Sequence, residues 1–217
     1  MIGCSAGGTD ELPNGPEGFD VLDEAGYLIA DPLRRRIVVY DAQGAYRQEW
    51  KIGFGADSVT AMPAGLVQVR EASTGEIFVF DREGKPRQGG SAAPPAAVVA
   101  RVLTPKTGTV ARPTGQPGPL EVKFDKPGLM LLSLEGLGTD SQGNTFVALE
   151  ATGGGDDVNV NKYVRKYGPQ GNLISEIADI PLDYFVHPVN ELRVHNGRVY
   201  QLMTTNTEVR INIWNTN

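Results

Sequence analysis

The chain has 217 residues, of which 40% are hydrophobic and 21% charged, the composition of an ordinary globular protein. No stretch approaches the roughly 18 to 20 apolar residues that a membrane-spanning helix needs, so no transmembrane segment is predicted. The 20 Lys and Arg against 26 Asp and Glu give a net charge of -6, which argues against nucleic acid or anionic lipid as the main partner.

Residues 1–17 are predicted to form a polar N-terminal tether. Met1-Ile2-Gly3-Cys4-Ser5 resembles the end of a bacterial lipoprotein signal, in which a small residue precedes the cysteine that is lipidated. The basic and apolar segments of such a signal are not part of this sequence, so either translation starts upstream or the resemblance is accidental. We hypothesise lipidation of Cys4 and an extracytoplasmic location. As the single cysteine, Cys4 excludes an intramolecular disulfide framework.

A ten-residue phrase then occurs twice, as RRIVVYDAQG at 35–44 and as GEIFVFDREG at 75–84. Each copy reads as a branched, apolar run that ends in an aromatic residue and is followed by Asp and then Gly. The run predicts a strand, and the Asp and Gly predict a hairpin turn. Similar runs end in Tyr167 and Trp214.

A second family of turns lies about twenty residues before each phrase, and its spacing gives a period. Gly26 and Gly65 are 39 residues apart, and Gly65 and Gly143 are 78 apart, which is twice 39. The repeating unit is therefore predicted to be a four-stranded antiparallel meander. Units of about 40 residues are typical of the blades of a β-propeller. We predict an all-β fold with a single propeller domain at 18–217.

Residues 88–128 interrupt this pattern with seven prolines. A disordered linker is one interpretation, and a degenerate blade or projecting hairpin is the other. Short apolar runs such as AVVARVL and PLEVKF favour the degenerate blade, because a linker rarely carries them. The chain would then hold four clear units and a degenerate fifth.

The fourth unit carries an insertion, GGGDDVNVN at 153–161. Its oxygen-bearing side chains are weak candidates for Ca²⁺ ligands: Asp156, Asp157, Asn159 and Asn161. The match to a calcium loop is poor, because the sixth position holds Lys162 in place of Gly and the twelfth holds Gly168 in place of Glu. A polar surface loop is the favoured interpretation, with no cofactor expected.

The last unit ends three residues after Trp214, so its fourth strand is missing from the pattern. We expect an incomplete ring or an exposed blade edge. Exposed edges pair readily with other chains, so a protein partner or self-association through such an edge is predicted.

The first unit, with Gly26 to Asp31 followed by Arg36 to Gly44, resembles the NHL-type and related six-bladed propellers of bacterial envelope proteins. The second unit matches less closely, and the resemblance covers about two-thirds of the chain. It implies a propeller fold and leaves the activity open.

The chain contains no G-x-S-x-G, P-loop or H-E-x-x-H motif, and its two histidines, His187 and His195, are too few for a three-histidine metal centre. We therefore favour a non-catalytic binding or assembly module of the bacterial cell envelope. One alternative is a propeller hydrolase or lactonase with a metal in the central channel. A second is a carbohydrate-binding module whose sugar face is lined by aromatic residues: Tyr27, Tyr46, Trp50 and Tyr200.

Overall fold

The computed structural model describes residues 15–22, 26–87, 98–112, 118–153, 159–182, 191–204 and 208–216, and these form five small antiparallel sheets. Sheet I contains β1 to β4: Gly18–Leu22, Gly26–Asp31, Arg36–Tyr40 and Tyr46–Lys51. Sheet II contains β5 to β7: Ala56–Met62, Leu66–Glu71 and Ile77–Asp81. Sheet III contains β8 to β10: Ala100–Thr104, Thr107–Val110 and Leu120–Lys123. Sheet IV contains β11 to β14: Leu129–Thr139, Thr145–Gly153, Val160–Tyr167 and Leu173–Ile180. Sheet V contains β15 to β17: Leu192–His195, Arg198–Thr204 and Val209–Asn215.

The predicted all-β fold of small antiparallel, blade-like sheets is confirmed, and each sheet is a meander whose strands pair in chain order. The Pro-rich region contains sheet III, so the degenerate blade is the correct interpretation there. Four strands are present only in sheets I and IV, whereas sheets II, III and V have three within the described ranges. In sheet II, β7 is followed by a single bridge between Phe80 and Pro86, and the backbone N–H of Arg87 donates to the oxygen of Val79 at 2.8 Å.

The chain forms two compact units. The first consists of residues 1–94, 183–193 and 200–213, and the second of residues 95–182, 194–199 and 214–217. The single propeller domain at 18–217, with a tether at 1–17, stays a prediction.

The repeated Asp and Gly form the same hairpin turn in different sheets. After β3, the Asp41 carboxylate accepts hydrogen bonds from the backbone N–H groups of Gln43 and Ala45, at 3.0 and 2.8 Å. After β7, Asp81 binds Glu83 and Lys85 in the same way, at 3.1 and 2.9 Å. These side chains complete the turn that the sequence phrase predicted.

The third turn of this kind, after β11, is closed by Asp140, which accepts from the N–H groups of Gln142 and Asn144. The turn after β13 has the same backbone bonds, from Gly168 N to Asn172 O and from Gly171 N to Gly168 O, both 2.9 Å. It lacks only the carboxylate.

In the first unit, sheet I buries both of its faces, since alternate residues of a strand point in opposite directions. One face, with Phe19, Ile29 and Tyr40, packs against Tyr200 and Leu202 of β16. The other face packs against sheet II, and its contacts combine Leu28, Ile37 and Trp50 with Val59, Val67 and Phe80. A sheet buried on both sides is the arrangement expected of a blade between two neighbours.

The second unit has a core between sheets III and IV. Its members from sheet III and the residue after it are Val110, Leu120, Val122 and Phe124, and those from sheet IV include Leu131, Val147, Leu149 and Tyr163. Tyr167 ends the aromatic phrase of sheet IV and packs in this core against sheet III. Phe80 ends the phrase of sheet II and packs against sheet I. The aromatic residue of the phrase therefore packs toward the sheet that precedes its own.

The insertion at 153–161, in the repeat that forms sheet IV, lengthens a hairpin. β12 has nine residues and β13 has eight, compared with six and five in β2 and β3. Asn161 pairs with Ala151 in this ladder, so part of the predicted polar loop is strand.

Candidate functional site

Two outer strands in the described part of the chain lie beside a cavity. They are β10, where sheet III ends, and β17, where sheet V ends. An outer strand presents backbone N–H and C=O groups that another chain can pair with. Within the described ranges β17 is an outer strand of sheet V, where the sequence predicted an edge, and β10 is an outer strand that the sequence did not predict.

A cleft of about 530 Å³ lies in the second unit along β10. One wall is formed by β10 and the residues beside it, including Glu121, Lys123 and Asp125. The opposite wall is formed by Arg165, Tyr167 and the turn that leads to Leu173. The cleft thus combines an open strand edge with charged side chains of both signs.

Arg165 fixes the wall of this cleft. Its side chain is largely buried, and its Nε donates to Glu176 at 2.6 Å while its Nη1 donates to the backbone oxygen of Lys123 at 2.6 Å. The guanidinium also lies 5.3 Å from the ring centre of Phe124. Arg165 therefore joins β13 to β10 and sets the position of the edge.

Burial and hydrogen bonds to charged groups together set the titration of this cluster. Burial acts to raise the pKa of Glu176, but hydrogen bonds from Lys126 and Arg165 outweigh it, and the pKa lies below its ordinary value. Burial likewise acts to lower the pKa of Arg165, while its bonds to Tyr167 and Glu176 raise it overall. Burial also raises the pKa of Tyr167. At neutral pH Arg165 and Glu176 are consequently both ionised, and the phenol of Tyr167 beside them is neutral.

A second cavity, of about 330 Å³, lies beside β17 in the first unit. It is lined by Tyr27, by the turn at 42–44 and by β17 from Arg210 to Ile213. Ile213 is 47% exposed, which is unusual for a large aliphatic side chain and marks the open face of the strand.

Of the metal-ligand candidates and histidines, those that the structure describes, Asn159, Asn161 and His195, line neither cavity. Cys4, His187, Asp156 and Asp157 lie outside the described residues. Asn159 precedes β13 and Asn161 lies within it. In the ranges that the structure describes, no three His, Cys, Asp or Glu side chains are grouped so that they could hold a metal ion.

The four aromatic residues of the carbohydrate hypothesis have different environments. Tyr27, Trp50 and Tyr200 are buried, and the rings of Tyr27 and Tyr200 meet edge to face at 6.3 Å. Only Tyr46 is exposed, at 58%, and its ring contacts Tyr40. Packing in the core thus accounts for three of the four.

The sequence reasoning missed the cleft beside β10. A signal was present in the run Glu121-Val122-Lys123-Phe124-Asp125, in which charged and apolar residues alternate. This alternation predicts a strand with one buried and one exposed face. Nothing in it shows that the strand is the outermost of its sheet.

No protein-family model matches the chain, and no curated protein matches it. Solved structures that are similar to it include BBS1N, from a crystal structure in complex with ARL6DN, at 14% identity and a TM-score of 0.33. Another is a eukaryotic initiation factor, at 12% identity and a TM-score of 0.29. The matches cover 94% and 95% of this chain, which spans 65% and 54% of the other two. Across the described ranges, no helix has the length and apolar character needed to cross a membrane.

Proposed function

We propose that this chain is a non-catalytic binding or assembly module that uses exposed blade edges to recruit protein. The observation that carries the proposal is the pair of open outer strands, β10 and β17, each beside a cavity of a size that admits peptide side chains. Main-chain pairing at an edge supplies affinity, and the side chains of the cavity supply specificity.

We also propose that the module is an extracytoplasmic, NHL-type propeller that is tethered by a lipid on Cys4. Support comes from the Gly3-Cys4 context and from the phrase at 26–44. Metabolic labelling with an alkyne fatty acid tests the anchor. Labelled protein is expected for the native chain and not for Cys4→Ser, and an unmodified Met1 in the native protein would contradict it.

The interaction proposal is tested by photo-crosslinking in the native host. A photoactivatable residue at Ile213 samples the β17 edge, and the same residue at Leu33, in the turn between β2 and β3, is the control. The two sites are matched, since Ile213 is 47% and Leu33 is 49% exposed. We expect a discrete crosslinked protein from position 213 alone. Equal or no crosslinking at the two positions would contradict the proposal for this edge.

A further inference from the structure

The backbone register shows which groups of β10 are free. Phe124 N donates to Lys106 O at 2.8 Å, in the same register that pairs Val122 with Gly108. Hydrogen-bonded and non-hydrogen-bonded pairs alternate along an antiparallel ladder, so Val122 is bonded to β9. The backbone groups of Glu121 and Lys123 therefore point away from β9, toward the open edge.

The side chains along this edge alternate in charge. Glu121, Lys123 and Asp125 are all exposed and all line the cleft, in the order negative, positive, negative. None of the three side chains forms an ion pair or a hydrogen bond within the described chain. The backbone oxygen of Lys123 accepts from Arg165, and a carbonyl has a second lone pair for a further donor.

The outer strand of sheet I, β4, has the opposite pattern. Ile52 N donates to Arg35 O at 3.0 Å, in the register that pairs Trp50 with Ile37. The backbone groups that point away from β3 therefore belong to the alternate residues of β4. Among these residues, Glu49 and Lys51 read negative and positive, whereas Arg47 lies at a β-bulge opposite Val39 and Tyr40, where the alternation is interrupted. On both edges, residues whose backbone groups point outward are thus also charged residues.

We propose that β10 of one molecule binds β4 of a second copy of this chain as an added antiparallel strand. This inference rests on the proposed function, and it names the partner and the edges. Residues that direct their backbone groups toward each other exchange both hydrogen bonds and place their side chains on the same face, side by side. The pairs across the interface are Lys123 with Glu49 and Glu121 with Lys51.

The charge patterns favour this pairing over a contact between two copies of β10 aligned on Lys123. If two copies of β10 met in antiparallel fashion about Lys123, like charges would lie opposite one another at every position, whereas a register centred on Val122 would place Glu121 opposite Lys123. Like charges directly opposite each other are destabilising. The two pairings are separable, since a contact between two copies of β10 does not involve Glu49 of β4.

The side chains of β4 already have partners inside the molecule. Glu49 accepts from Arg36, and Arg47 lies 2.9 Å from Asp41. Both can take part in a second interaction, since a carboxylate has about four acceptor sites and the Arg47 side chain is 64% exposed. The association is consequently expected to be weak and to decrease with added salt.

Sedimentation of the full chain over a range of concentrations tests the proposal. We expect reversible association for the native chain, and at least a tenfold weaker constant for Lys123→Glu and for Glu49→Lys, since each places like charges opposite each other. A native chain that stays monomeric at the highest concentration would overturn the proposal. Association that neither variant changes would also overturn it.

Charge exchange separates the interface from a folding defect. The double variant Lys123→Glu with Glu49→Lys, and an equimolar mixture of the two single variants, are both expected to regain association. Failure of both to associate would contradict the pairing. Lys85→Glu is the control, because it makes the same change in net charge as Lys123→Glu at an exposed residue in the turn after β7. It should leave association unchanged.

The photo-crosslinking at Ile213 distinguishes this inference from the general function. A crosslinked partner at β17 together with a monomeric native chain would overturn the β4 and β10 interface and retain the interaction module. Loss of the crosslink together with reversible, charge-dependent association would retain self-association and overturn the recruitment of a partner at β17.

Discussion

Gly84, in the turn after β7, lies against the indole of Trp50 in β4. A Cβ at Gly84 would be 2.3 Å from Cγ of Trp50, and the φ of Gly84 is +78°. The turn of the second phrase therefore packs on the outer strand of sheet I. This contact is one physical reason why the phrase ends in glycine.

Gly84→Ala should accordingly destabilise the fold more than a glycine substitution that meets open space. Gly75 is the control, since its φ is +72° and a Cβ added there would have no other atom within 4 Å. Alanine at 75 is expected to cost about 1 to 2 kcal/mol for the backbone alone. Alanine at 84 should cost about 1 to 3 kcal/mol more, from overpacking against Trp50. Urea unfolding of the two variants measures the difference, and equal costs would contradict this packing.

Asp81 should make stability depend on pH in the acid range. Hydrogen bonds from the backbone of Lys85, then of Glu83, and the charge of Arg87 hold the pKa of Asp81 below its ordinary value of 3.8, against a smaller effect of burial. Because the folded-state pKa is depressed, the stabilisation is present above pH 3.8 and is lost as the pH falls through the folded-state value. Urea midpoints of the native chain and of Asp81→Asn should therefore differ at neutral pH and converge in acid. A constant difference would be evidence against this role.

The turn after β13 offers a gain of stability. A Cβ at Gly168 would lie 2.7 Å from Oδ1 of Asn172, whereas the backbone bonds of this turn match those around Asp41. Gly168→Asp in an Asn172→Ala background should restore the carboxylate and raise stability by about 0.4 to 1 kcal/mol, partly by restricting the unfolded chain. The single variant Gly168→Asp should gain less, because it meets Asn172. Thermal unfolding of both variants tests this, and a larger gain in the single variant would refute it.

Phe124 should be central to the second unit. Its side chain is fully buried between sheets III and IV and lies beneath Arg165. Phe124→Ala is expected to cost about 3 to 5 kcal/mol. Leu173→Ala, at a side chain that is 50% exposed, should change stability by no more than about 0.5 kcal/mol. Chemical denaturation compares them, and similar losses would show that the core is placed elsewhere.

The sequence predicted the fold through elements that repeat. The phrases around Tyr40 and Phe80 identified strands, turns and buried aromatic residues, because local turn chemistry and period-two burial are encoded in neighbouring residues. The predicted four-stranded unit is present in sheets I and IV, and the fourth strand that the pattern lacked in the last repeat is also lacking from sheet V within the described ranges.

The candidate site was less accessible to prediction. The alternation of Glu121, Lys123 and Asp125 is visible in the sequence, but its meaning depends on β10 being the outermost strand, which is a property of the assembled sheet. The same holds for Arg165, which reaches the backbone of Lys123 across 42 residues of chain. Long-range contacts of this kind leave no pattern in either segment alone.

Amide hydrogen exchange of the native chain tests most directly whether open sheet edges bind a second copy. The N–H groups of Glu121 and Lys123 in β10, and of Glu49 in β4, should exchange rapidly in dilute protein and slowly in concentrated protein. The N–H of Val122, which is already bonded to β9, should be protected at both concentrations. Exchange at Glu121, Lys123 and Glu49 that is the same at all concentrations would contradict the account.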